Sequence, residues 1–228
     1  MKNSLQPEFK VIRSNRKSLA IELGHNSMKI RAPYQMSDAE ISCFILAKQD
    51  WIREKQLLLS KKSPPKHQFV EGEKFLLYGE EYPLKFVEKQ PFALKFDGKE
   101  FLLNTRDMHR AILLFKAWYI NQAKFSFPKR VEDYATKHGF NYKTVRISDA
   151  ARRWGSCSSS GSINLNWRLM RAMPEVIDYV VIHELAHTKH MDHSRRFWAV
   201  VADVMPNYAS YRKWLKEHGY MLDFLAES

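Results

Sequence analysis

The residues best suited to chemistry are His183-Glu184-Leu185-Ala186-His187. Two histidines four positions apart are just over one helical turn from each other, so on a helix both imidazoles leave the same face. Neutral imidazole nitrogens suit zinc, and two on one face can grip a single ion. Glu184 follows directly on His183, where a carboxylate can take a proton from a water whose pKa the metal has lowered. A surface helix with solvated His and Glu would carry the same five residues. The neighbours argue against it. Val176, Ile177, Val180, Val181, Ile182, Leu185 and Ala186 make the segment apolar, and two His and a Glu are costly in such a core without partners.

A catalytic zinc site commonly takes three protein ligands and leaves one position open. The stretch His187-Thr188-Lys189-His190-Met191-Asp192-His193 offers His190, Asp192 and His193 as the third. His190 shares the helical face but lies about 10 Å along the axis from His183, too far for unstrained sharing. His193 fits if the helix stops and the chain turns back. Ser194 has the character of a cap for a new helix just afterwards, which favours that turn and His193, with His190 and Asp192 as alternatives.

These groups need elements to hold them. Phe9–Val11, Leu19–Leu23 and Met28–Ala32 read as short strands. Ser37-Asp38-Ala39-Glu40 is a capping box opening one helix to about Leu59, with Ile41, Phe44, Ile45, Trp51, Ile52 and Leu58 on its buried face. Lys61-Lys62-Ser63-Pro64-Pro65-Lys66 reads as a stiff connector. Further strands flank Gly79-Glu80 and the hairpin dipeptide Asp97-Gly98. Beyond them, Asp107 caps a helix to about Lys124 and Pro128 opens a second one that stops at Gly139. Thr144–Ile147 and Ile163–Leu169 are strands, Pro174 starts a helix to about His190, and Ser194 and Asn207 cap two more. Strands dominate the first half and helices the second, so the fold class is α+β. The expected division is a strand-rich region with one long helix over 1–105 and a mainly helical region with a small sheet over 106–228.

The wider context resembles the YgjP-like metallopeptidases, zincins akin to the SprT-like proteases. The residues that carry the resemblance are His183 to His187 with Asp192-His193-Ser194-Arg195-Arg196-Phe197-Trp198. Upstream, Arg153-Trp154-Gly155-Ser156-Cys157-Ser158-Ser159 with Gly161, and Ile163-Asn164-Leu165-Asn166-Trp167-Arg168-Leu169, belong to the same pattern. So do Pro174 to Val180, Met205-Pro206-Asn207-Tyr208, Ile30 to Pro33 and Trp51-Ile52, which extends it over nearly the whole chain. The resemblance implies Zn²⁺ held by His183, His187 and His193, Glu184 as catalytic base, and a zincin-like catalytic region over 106–228. The His183-to-His193 spacing equals that of metzincins, but His190 stands where those have the glycine of a sharp turn, so no metzincin fold follows.

In zincins an edge strand above the metal pairs with an extended peptide, and the resemblance implies that role for the strand bearing Asn164 and Asn166. Its physics would be β-augmentation, rich in backbone hydrogen bonds and poor in sequence preference. An ordinary hairpin packed on the helix fits the same alternation of apolar and polar residues. Cys157 reads as a structural or surface thiol. Arg146, Arg152 and Arg153 suit a substrate carboxylate, a phosphate backbone or water, with a solvated face as the default. Trp118, Tyr119, Trp198 and Trp214 fit core stripes. Tyr208, Tyr211 and His190 are candidates for stabilising an oxyanion.

Composition bounds the function. At 228 residues, with 45% hydrophobic and 27% charged, the chain is globular, which excludes collagen, coiled coil and disorder. The net charge of +12 is spread over both halves. It favours anionic partners and allows weak, non-specific association with nucleic acid, although no recognised reading helix or zinc-finger spacing supports more. Cys43 and Cys157 form no metal-knuckle or disulfide pattern, Met1 to Glu8 lacks a signal h-region, and no apolar run is long enough to span a bilayer. The expectation is a cytoplasmic, non-membrane zinc hydrolase acting on peptides or proteins. Its rivals are a nucleic-acid-associated protein with a structural zinc, and a hydrolase of non-peptide amides.

Overall fold

The computed structural model describes residues 9–23, 28–60 and 64–223. The N-terminal octapeptide, Lys61–Ser63 of the connector and the Leu58 side chain lie outside the described set. The chain divides into two compact units, Met1–Ser63 and Pro64–Ser228.

In the first unit, β1 (Phe9–Ser14), β2 (Ala20–Leu23) and β3 (Met28–Pro33) form a sheet of order β1-β3-β2, with β1 parallel and β2 antiparallel to β3. Alternate residues Met28, Ile30 and Ala32 of β3 are buried with Ile41 and Ile52, as strand periodicity requires. The capping box forms: Ser37 Oγ accepts from Glu40 N (3.2 Å) and Glu40 Oε2 accepts from Ser37 N (2.7 Å). The expected single helix is two, α1 (Asp38–Ala47) and α2 (Gln49–Ser60). At the joint the Lys48 N–H is shared between the Phe44 and Ile45 carbonyls, a bifurcated bond of the kind found at helix ends. Trp51, expected on the buried face, is exposed.

The second unit begins with β4 (Lys74–Leu77), β5 (Glu80–Val87), β6 (Leu94–Phe96) and β7 (Phe101–Asn104), ordered β4-β5-β7-β6. The β4–β5 turn is Tyr78-Gly79, one residue earlier than expected, with φ of +53° and +84°. Two consecutive positive φ values are the twist-matched solution for a two-residue hairpin. This sheet contributes Phe75, Leu77, Leu84, Phe101 and Leu103 to the same core as Phe115 and Tyr119 of the following helix. Residues 64–105, grouped from sequence with the N-terminal region, therefore pack with the second unit.

That helix, α3 (Ala111–His138), is continuous where two were expected, and Pro128 lies inside it. An interior proline costs ~3 kcal/mol or more. Phe127 just before it, and Val131 and Ala135 beyond it, continue the series of buried residues Ala111, Phe115, Tyr119 and Ala123. Full burial of one large apolar side chain contributes about 1.5–3 kcal/mol, so the continued stripe outweighs the proline. Gly139 ends α3 at φ +63°, the left-handed stop that the sequence predicts.

The remaining strands are β8 (Thr144–Ser148), β9 (Gly155–Cys157) and β10 (Ser162–Asn166), followed by a 3-10 turn over Trp167–Arg171. Helices α4 (Pro174–Ala186), α5 (Arg195–Val204) and α6 (Tyr208–His218) complete the unit. Strands lie mainly in the first half and helices in the second, the expected α+β arrangement. No helix among the described residues is long and apolar enough to cross a membrane.

Candidate metal centre

Helix α4 is buried on nearly every side, including Glu184 at 5% exposure. Its apolar surround holds it rigidly, and rigid elements hold site geometry best. The last full turn ends at Ala186, earlier than expected, because Thr188 Oγ1 donates to the Leu185 carbonyl (2.7 Å) and the Lys189 N–H reaches the Ala186 carbonyl (3.0 Å). The chain then doubles back. Ser194 caps α5 by accepting from Phe197 N, and this return delivers His193 to the face of α4 that carries His183 and His187.

The three imidazoles converge: one nitrogen from each of His183, His187 and His193 lies within 4.8 Å of the others. His183 Nε2 and His193 Nε2 are 3.1 Å apart. Two nitrogens on one tetrahedral zinc at about 2.0–2.1 Å each would stand roughly 3.3 Å apart, so this pair is spaced to share one ion. His187 Nδ1 donates to the His190 carbonyl (3.1 Å), which fixes the tautomer and leaves Nε2 as the lone-pair nitrogen. His190 thus serves through its backbone, while Asp192 Oδ1 accepts from Ser194 N (3.3 Å) and holds the turn. Burial drives the His183 pKa down to about 3, helped by its histidine neighbours and Arg212, so the ring is neutral and available as a donor.

Phe197, fully buried, packs against all three rings, with centroids 4.9, 4.5 and 4.9 Å from those of His183, His187 and His193. Trp198 stacks on His193 (5.8 Å) and on Tyr208 (5.2 Å). Sequence reasoning assigned Trp198 to a core stripe and gave Phe197 no part in the site. The amphipathic spacing of His193 and Phe197, four residues apart across a helix start, was the available signal.

Beside the histidines lies a cleft of about 330 Å³, lined by Arg153, Trp154, Gly155, Tyr179, Val180, His183, Glu184, Arg212, Leu215 and Lys216. Burial raises the Glu184 pKa to about 8, partly offset by the positive charge of Arg153. Such a carboxyl is a stronger base than an exposed one once ionised. Tyr179 was missed from sequence, yet Tyr179, His183 and His187 recur every four residues along one face of α4. Burial first, and the nearby Glu184, push its phenol up to about 12 against the pull of Arg212. Cys157 is half-buried with its thiol pKa raised, by burial and by Glu184, so it remains a thiol as expected.

The strand bearing Asn164 and Asn166 corrects one expectation. β10 is the central strand of the order β8-β10-β9, parallel to β8 and antiparallel to β9, so both its edges are already paired. Its asparagines hold neighbouring chain: Asn166 Nδ2 donates to the carbonyls of Ala150 (2.7 Å) and Arg153 (2.9 Å), and Asn164 Nδ2 to Ser156 Oγ (3.1 Å). The edge nearest the cleft belongs to β9. Asn166 N donates to Trp154 O (2.8 Å) and Ser158 N to Ser162 O (3.0 Å). By antiparallel alternation, the backbone groups of Gly155 and Cys157 then point away from β10.

Three imidazoles with converging nitrogens, beside a buried carboxyl on α4, form a group that could hold a metal ion. The chain belongs to the YgjP-like family, whose metallopeptidase domain matches residues 17–218. Membership implies a divalent metal, and the three-histidine group could hold one. Part of the chain is similar to the metallopeptidase zymogen of Pyrococcus abyssi abylysin, with 25% identity, 41% of this chain and 96% of that one covered, and a TM-score of 0.37. The zymogen of Methanocaldococcus jannaschii jannalysin is similar at 16% identity, 40% and 93% coverage, and a TM-score of 0.36. No curated protein matches the sequence.

Proposed function

We propose that this protein is a zinc-dependent peptidase in which His183, His187 and His193 hold the ion and Glu184 is the general base. The observation that carries the proposal is the convergence of three imidazole nitrogens within 4.8 Å of one another beside the buried Glu184. Zinc held there supplies Lewis acidity, polarising a carbonyl and acidifying a water. Glu184 removes a proton from the attacking water and later delivers it to the leaving nitrogen. Its burial supports that double role, since a desolvated carboxylate binds a proton more tightly than an exposed one. Tyr179, kept protonated in the cleft, is the donor to the oxyanion. The substrate backbone pairs with the outward-facing groups of Gly155 and Cys157 on β9, a role moved from the strand of Asn164 and Asn166.

The proposed catalytic groups all lie within residues 106–228. The test is direct. The purified chain is loaded with zinc, its metal content measured, and cleavage of casein and a peptide library followed with and without a chelator. One zinc per chain with chelator-sensitive cleavage is expected. Cleavage that persists after complete metal removal would reject the mechanism.

A further inference from the structure

Three cationic side chains meet at the cleft beside Glu184. Arg153 comes from the segment before β9, and Arg212 and Lys216 come from α6, one turn apart. All three are exposed, and among the described residues none forms an ion pair with an acidic side chain. Glu184 is the one carboxyl lining the cleft. Like charges at i and i+4 on a helix repel each other, and Arg153 adds a third charge from a separate element. The cleft thus gathers three cationic side chains against one buried carboxyl.

The walls between them are apolar or aromatic: Trp154, Tyr179, Val180 and Leu215. Arg212 is held in place, its guanidinium 4.6 Å from the Trp198 ring centroid. A pocket with apolar walls and a cationic rim complements a short methylene stem ending in a carboxylate. A nucleic-acid backbone asks for something else, a run of cations along an open surface.

We propose that this cleft is a carboxylate-binding subsite, which selects substrates with an acidic side chain or a free C-terminal carboxylate next to the bond that is cut. The proposal rests on the peptidase reading above and names the substrate class for that site. Both sources present the same anion to the same three cations.

Binding and cleavage separate the two ideas. Affinity is measured on the zinc-loaded full chain carrying Glu184→Gln, using tryptophan fluorescence, to which Trp154 in the cleft contributes. The ligands are one peptide series with Glu or Gln at successive positions, each made with a free or an amidated C-terminus. The acidic member should bind about tenfold more tightly than its neutral twin, the worth of one charge-assisted contact. The arm in which the difference appears identifies the carboxylate as side-chain or terminal. Adding Arg212→Gln or, separately, Lys216→Gln should shrink the preference, and both side chains are exposed enough to leave folding intact. Equal affinity for acidic and neutral peptides overturns the subsite, as does a preference that survives both variants. Displacement of the acidic peptide by single-stranded DNA at lower concentration than by a neutral peptide's acidic twin also overturns it, in favour of phosphate. If acidic peptides bind selectively but the wild-type chain cuts none, the subsite stands and the peptidase reading falls. If the wild type cuts neutral and acidic peptides alike, the reverse holds.

Discussion

Gly155 of β9 leaves just enough room for the carboxyl of Glu184: a Cβ at position 155 would stand 2.5 Å from Glu184 Oε1 and 2.7 Å from its Cγ. Glu184 also lines the cleft, so a methyl at 155 would push its carboxyl from its present place toward that space. The glycine is needed for this close approach, not for an unusual backbone angle. Gly155→Ala should therefore move the base while sparing the three histidines. Displacing a catalytic group by about 1 Å can cost 10²-fold, so kcat/KM should fall about 10²-fold with zinc content unchanged. Full activity in this variant would show that the carboxyl has more freedom than the packing indicates.

Two of the proposed ligands, His187 and His193, should give different outcomes on truncation. His187 is buried and bonded to the His190 carbonyl, whereas His193 is exposed. Both His187→Ala and His193→Ala should lose zinc, measured by elemental analysis. Only His187→Ala should also lower the thermal midpoint of the metal-free protein, because it opens a void and leaves a carbonyl unpaired. Zinc at a thousandfold excess over its Kd should stabilise the wild type by about 4 kcal/mol. Retention of full zinc by the His193 variant would remove that residue from the site.

Glu184→Gln should abolish hydrolysis while keeping metal and fold. The amide has nearly the same shape but cannot accept the proton from water, a step worth about 10²–10⁴ in rate. The loss should appear in kcat. Replacing a buried ionisable group by a neutral one also removes a desolvation cost, so the thermal midpoint should equal or exceed that of the wild type. Near wild-type turnover would eliminate the general-base role.

Acid stability should depend on Asp149. Burial opposes its ionisation, but hydrogen bonds from Lys116 (2.7 Å), Trp167 (2.8 Å) and Arg168 (2.6 Å) prevail and hold its pKa near 2. A carboxyl depressed in the folded state stabilises it above the unfolded value, near 3.8, and loses that contribution as the pH falls towards 2. Urea midpoints between pH 5 and 2 should drop steeply for the wild type and less steeply for Asp149→Asn. Parallel curves would count against the network.

Association with DNA should be weak, indifferent to sequence and strongly reduced by salt, since the charge of +12 is dispersed over the chain. A salt titration with unrelated duplexes tests this. Sequence-selective binding that survives physiological salt would point to a dedicated nucleic-acid surface.

The legible parts of this protein are those that depend on neighbours in the chain. Ser37 with Glu40, Gly139 and Ser194 announced helix ends because caps act over three or four residues. His183, Glu184 and His187 were visible because helical periodicity alone puts the two rings on one face, and the Ser194 cap was enough to favour His193. Three other features came from contacts across the fold. Pro128 was expected to start a helix, but burial of Phe127 and Val131 carries α3 through it. Asn164 and Asn166 were expected at a sheet edge, but β8 pairs with β10 across 18 positions of chain and makes it central. Tyr179, Arg212 and Lys216 share a cleft only because α4 and α6 pack together. Local hydrogen bonds and periodicity are written in adjacent residues, whereas strand order and cleft walls are decided by which distant apolar faces bury each other.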